Sequence, residues 1–477
     1  MKKFITALVA CVGFVSVAYA QSISENGCGT ITTAEEQQRV YDFVAQGMPA
    51  AKGTAGMDSI PLSIHIVGKT NGTGYYDLDK LFPLICNLNT HFAPANFYFY
   101  IAWPITYINN DNYYQHDYSS GSQMMYANNV ANTVNVYFVQ DPAGNCGYFT
   151  HGADAVAIGK NCAAVNSTTL THELGHYFGL PHTFSGWESG TSPNPERVTR
   201  TGIGANCNNA GDGFCDTDAD YLSYRWNCPY SGPALTDPLG VTVNPDPSFY
   251  MSYATDACTN RFSAQQIAFM QYNLYNKRPN LLAQSSAPYS AMDTPKIAYP
   301  SPMMYANDQT IRWNRVPGAQ YYFVKLSTQS LPSLYREKWL TADTFVHITT
   351  EMYNNVGYYA YVTPLSNKNV CSDKTSQEPF TYTSALAVTD VLPDASVQIV
   401  PNPAADYVTI STDPSFKGNY SVTVMNMAGQ IVKQQETGFQ TSGNAVTFPT
   451  TDLSNGIYTV KISGEKGTLV KKLVIQH

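Results

Sequence analysis

The stretch His172-Glu173-Leu174-Gly175-His176-Tyr177-Phe178-Gly179-Leu180-Pro181-His182 decides how this chain is read. On a helix, His172 and His176 stand at i and i+4, so both imidazoles project from one face toward a common point. Ser167 or Thr168 can cap the start of that helix, and Gly179 can take the left-handed conformation that ends it. The chain then turns back through Pro181 and offers His182 as a third nitrogen donor. Imidazole is neutral at physiological pH and suits zinc. Three protein ligands leave the fourth tetrahedral position open for water, which is the catalytic rather than the structural arrangement. Glu173, beside the first ligand, sits where a carboxylate can hold that water and take its proton for a leaving amine. The competing reading is a helix with incidental surface histidines, but a chance match of five fixed positions is on the order of 10^-4 in such a chain.

Upstream, Ile60 to Val67 reads as a strand, Leu78 to Thr90 as an amphipathic helix, and Phe97 to Trp103, Asn135 to Val139 and Ala155 to Gly159 as further strands. That order, ending in the histidine-bearing helix, predicts a mixed α and β unit. Gly147 to Gly152 is a candidate edge strand. After an irregular stretch from about 185 to 248, Ser263-Ala264-Gln265-Gln266 is a capping box opening a helix. Beyond Leu282 short alternating segments replace helices, among them Thr310 to Trp313, Tyr321 to Leu326, Tyr358 to Val362, Tyr407 to Ser411, Tyr420 to Met425 and Ile457 to Ile462. This is the pattern of all-β sandwiches.

The chain has 477 residues, too many for one ordinary domain, and a formal net charge of −8. No polybasic run offers a face to nucleic acid, and no segment is long and apolar enough for a membrane helix. Residues 1–20 read as a secretory signal: Lys2 and Lys3, an apolar run, then Ala18-Tyr19-Ala20. A lipoprotein signal at Leu8 to Cys11 is the alternative, with an unusually short apolar region. Of the ten cysteines Cys11 leaves with the signal, so an odd number remains in an exported chain, where cysteines pair.

The extended zinc run resembles that of the metzincin metallopeptidases. Tyr250-Met251-Ser252-Tyr253 lies where their methionine turn falls. Asn206 to Thr217 and Cys258 to Gln266 narrow the resemblance to the pappalysin family, in particular its cytophagalysin branch, over about residues 58 to 282. The resemblance implies that Met251 floors the zinc site, that Tyr253 donates its hydroxyl to a developing oxyanion, and that substrate adds along the edge from Gly147 to Gly152. It also implies structural calcium near Asp212 and Thr217, although Asp218 stands where a proline is usual. Some relatives prefer basic residues through an acidic pocket residue; the helix from Ala264 to Tyr275 has none.

Cys146 and Cys162 are expected to pair, and Cys207, Cys215, Cys228 and Cys258 to form two more bridges in one of three connectivities. Cys86 reads as a buried thiol, and Cys371 has no evident role. Cys28 lies in a polar segment with too little apolar material for a core of its own. Its functional reading is a cysteine switch, a thiolate filling the open zinc position until the segment is cut away; a disulfide to Cys86 or an idle thiol are the alternatives.

Thr310 to Tyr322 resembles the early strands of a fibronectin type III domain, read as a spacer. Val400 to Asp406, Met427 to Gln430, Asp452 to Tyr458 and Lys471 to Ile475 resemble the C-terminal sorting domain of the type IX secretion system, which implies a gram-negative cell and release or surface attachment. The expected organisation is a signal at 1–20, a prosegment at 21–57, an α+β metzincin-like unit (mixed sheet, zinc-motif helix, Met-turn) at 58–284, and two all-β sandwiches at 285–388 and 389–477. The expected function is a secreted monomeric zinc endopeptidase, with calcium, acting on proteins or peptides and made latent. The rival is a surface adhesin with an idle zinc-peptidase scaffold.

Overall fold

The computed structural model describes residues 27–50, 56–282, 292–384, 397–412, 418–427, 429–439, 445–464 and 467–477. The signal at 1–20 and the boundaries expected near 284 and 388 lie outside the described residues.

Strand β1 (Asp58–Gly68) is buried along its whole length: Ile60, Leu62, Ile64 and Ile66 enter the main core, while Ser63 and His65, which alternate with them, are hydrogen-bonded to Thr133 and Asn135. β2 (Phe97–Ile101) and β3 (Thr106–Asn109) pair in parallel with successive halves of one side of β1. β4 (Val134–Val139) pairs in parallel with its other side. β5 (Gly147–Thr150) closes the sheet as an antiparallel edge on β6 (Ala155–Gly159), which itself lies parallel to β4. Helix α1 (Ala34–Ala45) precedes the sheet, and α2 (Leu78–Phe92), α3 (Tyr118–Asn128), α4 (Thr169–Tyr177) and α5 (Ala264–Lys277) follow in chain order. Leu81, Leu84, Ile85 and Leu88 of α2 share one buried core with Leu62, Ile64 and Val136 of the sheet. Met124 and Met125 of α3 cover Tyr137 and Tyr148 on the opposite face. The sheet is therefore a platform with α4 beside its antiparallel edge.

The polar N-terminal segment builds no core of its own; instead it joins the main one. Thr33 and Glu36 form a reciprocal capping box at the start of α1. Val40 and Phe43 are 0% and 2% exposed within the main core, and the Phe43 ring meets Phe269 and Tyr272, each at 5.1 Å.

The chain from 292 to 384 forms a three-stranded and a five-stranded sheet over a core that includes Trp313, Tyr322 and Tyr358. The last part forms a three-stranded and a four-stranded sheet around Val408, Val422 and Leu473.

One expectation is corrected here. Cys86 is not a free thiol: it is bonded to Cys371, so α2 is tied covalently to the first β unit. That unit also packs against the peptidase side. Phe323, Leu365 and Val370 belong to the peptidase-side core, Trp103 stacks on Tyr321 at 4.3 Å, and Lys338 pairs with Asp77 at 2.5 Å and Asp79 at 2.6 Å. The signal missed was the pairing itself, since 285 residues separate the two cysteines.

Candidate metal centre

At the start of α4, Thr168 occupies the cap position without capping. Ser167 Oγ accepts from the Thr169 amide at 3.1 Å instead, and the Thr168 hydroxyl turns to Asp256. At the other end Gly179 adopts φ +93°. A Cβ there would lie 2.4 Å from Asn273 Nδ2, the group that donates to the Phe178 carbonyl at 2.8 Å. Glycine is thus required twice, by backbone hand and by space. The turn returns His182 to the helix.

His172 Nδ1 lies 2.6 Å from the Tyr250 carbonyl and His176 Nδ1 lies 2.7 Å from the Leu180 carbonyl. A carbonyl only accepts, so both Nδ1 atoms carry the proton and both Nε2 atoms carry a lone pair. His176 Nε2 is 3.1 Å from His172 Nε2 and 3.1 Å from His182 Nε2. Lone pairs so placed repel unless a cation stands among them. Burial, then the neighbouring imidazoles, keep His176 well below its ordinary pKa; burial brings His172 down to about 4 and likewise lowers His182. Three neutral, buried, convergent imidazoles fit zinc. Among the described residues, one set of three or more His, Cys, Asp or Glu offers ligand atoms all within 4.8 Å of one another: Cys28, His172, His176 and His182.

Glu173 is 1% exposed. Its Oε2 accepts from the Cys28 thiol at 3.3 Å and the Thr30 hydroxyl at 2.9 Å, while Oε1 has no partner. Burial pushes its pKa up to about 7, into the range useful to a proton-transfer group. Tyr253 OH donates to the Cys28 carbonyl at 2.9 Å and receives the Cys28 amide at 3.1 Å. Met251 is fully buried beneath α4, and a Cβ on Gly175 would meet its sulfur at 2.4 Å.

The N-terminal segment lies along the edge strand. Gly29 N donates to the Gly147 carbonyl at 2.8 Å and Cys146 N to the Gly27 carbonyl at 3.0 Å, in parallel pairing. Thr30 Oγ1 receives the Phe149 amide at 2.8 Å. Below the edge Cys146 is bonded to Cys162, and of the three connectivities left open the structure has Cys207–Cys215 and Cys228–Cys258. Cys28 is the free cysteine among the described residues.

Asp212 and Thr217 lie together, fully buried, the hydroxyl donating to the carboxylate at 3.0 Å. Sequence reasoning missed their neighbour Glu196, whose Oε2 is buried without a partner. Burial, and the Asp212 charge, push Glu196 well up; burial takes Asp212 to about 8. It also missed Asp256. Asp256 stands five positions after Met251 and lines a cavity of about 160 Å³ together with His172, Glu173 and Arg225.

Residues 153–275 match the family model described as pregnancy-associated plasma protein-A, and residues 398–476 match that of the secretion system C-terminal sorting domain. An extracellular metalloprotease of Colletotrichum graminicola is 25% identical over 303 residues, covering 58% of this chain and 99% of the relative. One from Podospora anserina is 27% identical over 304 residues, covering 55% and 94%. Mature mirolysin of Tannerella forsythia, solved with a cleaved peptide, is 18% identical, covering 48% of this chain and 97% of that one, with a TM-score of 0.37. The chain is a metalloendopeptidase. Residues 153–275 are thus similar to pappalysin-type peptidases, and the C-terminal unit matches a type IX secretion sorting domain, which marks an exported protein of a gram-negative bacterium. Among the described residues no helix is long and apolar enough to cross a membrane.

Proposed function

We propose that this chain is a latent zinc endopeptidase in which His172, His176 and His182 hold the metal, Glu173 is the general base and Tyr253 stabilises the oxyanion. The observation that carries the reading is the convergence of three buried imidazole Nε2 atoms, two of them held unprotonated by carbonyls at Nδ1, beside a buried, half-unpartnered carboxylate. Zinc bound there supplies Lewis acidity toward water and the scissile carbonyl. Glu173 takes the proton from the attacking water and returns it to the leaving amine. Tyr253 donates its hydroxyl to the carbonyl oxygen, as it does to the Cys28 carbonyl. Met251 packs under the helix that carries two of the ligands.

Latency belongs to the same reading. Cys28 lies among the three imidazoles, and its segment occupies the edge strand where substrate would pair. Burial, then Glu173, push the thiol well above its ordinary pKa, so a cation among the imidazoles is what would hold it as thiolate. The buried Asp212 carboxylate and the partnerless Glu196 Oε2, whose other oxygen pairs with Arg200, are the oxygen donors we assign to a calcium ion. The domain boundaries we assign are 21–57 for the prosegment, 58–284 for the peptidase, and 285–388 and 389–477 for two β-sandwiches.

The test is digestion of a denatured protein mixture by prosegment-free protein beside a Glu173→Ala control. Chelator-sensitive cutting, lost in the control, is the expected result. Zinc binding with identical, null digestion in both would overturn the reading in favour of a binding protein.

A further inference from the structure

The cavity beside Glu173 is walled by the start of α4 and by Ser252 to Ala254, with Gly27 and Cys28 at its mouth. The prosegment presents a glycine there: a Cβ on Gly27 would sit 3.4 Å from the Tyr253 ring and 3.6 Å from Arg225 Cδ. A substrate lying on the edge strand in place of the prosegment would send a side chain into this space. At the polar end, Asp256 Oδ1 accepts from Thr168 Oγ1 at 3.1 Å and faces Arg225 Nη2 at 3.4 Å. Thr168 in turn shares a hydrogen bond with Thr259 at 2.9 Å. An unpaired carboxylate in such a place would select lysine or arginine. Here a guanidinium of the chain itself already engages it, and Thr168 fixes the same oxygen.

We propose that Arg225 is a specificity-determining residue: by pairing with Asp256 it offsets the carboxylate at the end of the pocket away from Glu173, so that this end takes uncharged side chains and discriminates little between basic and acidic ones. This rests on the peptidase reading above. Arg225 and Asp256 side chains are 41% and 35% exposed, so the pair is partly screened and its effect on selectivity is moderate.

The experiment uses matured full-chain protein and a peptide library, with both flanks of every cut sequenced and kcat/KM measured for four peptides carrying Leu, Gln, Arg or Glu at the enriched position. For wild type, Arg and Glu peptides are expected within about five-fold of each other and below Leu and Gln. Arg225→Gln should raise the Arg-to-Glu ratio about ten-fold, and Asp256→Asn should lower it by a similar factor. Opposite shifts at one and the same position distinguish a pocket charge from a folding defect. Wild type that already favours Arg about 100-fold, unchanged by Arg225→Gln, would overturn the proposal. Absence of any Glu173-dependent cutting would overturn the peptidase reading itself.

Discussion

Phe43→Ala should weaken latency without touching the metal site. The proposed prosegment is held by Cys28 among the histidines, by its pairing along the edge strand, and by α1 on the flank of the domain. Phe43 is 2% exposed and sits between Phe269 and Tyr272. Truncating a buried phenylalanine costs about 3–5 kcal/mol in a closed core. Where the far side of the site is a detachable helix that can settle, the low end applies. At 1.4 kcal/mol per factor of ten, a loss of about 3 kcal/mol raises the ratio of undocked to docked prosegment roughly 100-fold. Cys28 is the free cysteine among the described residues, so its rate of alkylation by iodoacetamide reads undocking directly, and hydrolysis of a quenched peptide reads it independently. Both should rise by about two orders of magnitude in the uncut protein. An alkylation rate within about two-fold of wild type, with normal thermal unfolding, would refute the role of α1 in latency.

Cys28→Ala should give uncut protein with measurable peptidase activity, and a variant as inert as wild type would remove the switch. Tyr253→Phe should lower kcat by about 10- to 100-fold with little change in KM, as expected for a donor used in the transition state; a KM effect alone would make it a binding residue. Asp212, raised to about 8 by burial, binds its proton more tightly in the native than in the unfolded state. In chelator its contribution is therefore full below about pH 4 and lost as pH rises toward 8, so the melting temperature should fall across that window. Calcium should restore it at pH 8 and do little at pH 5, and Asp212→Asn should flatten both responses.

The metal site was legible because its geometry is local. Two histidines one helical turn apart and a third after a glycine turn need nothing from the rest of the chain to converge. Strands such as Asp58–Gly68 were legible from the alternation of Ile60, Leu62, Ile64 and Ile66 with Ser63 and His65. What escaped notice depends on distant partners. Helix α3 buries little beyond Met124 and Met125 and so shows almost no amphipathic period. In α1 the capping box Thr33 to Glu36 was visible in principle, but Val40 and Phe43 look isolated in a polar segment until Phe269 and Tyr272 are placed against them. Asp256 escaped notice because its place beside His172 depends on how the chain beyond Met251 packs on α4, which no periodicity reveals. Glu196 lies in an irregular loop with no periodicity to reveal its direction.

The bond between Cys86 and Cys371 sets an order of assembly. The other three bridges close over 8, 16 and 30 residues and can form as soon as their own loops exist. Cys86 must wait for a partner 285 residues further on, so the thiol on α2 stays open until the β unit has folded against it. Once closed, a backbone cut anywhere between Leu282 and Met292 would leave two fragments that still travel as a single particle, separable only by a reductant together with a denaturant.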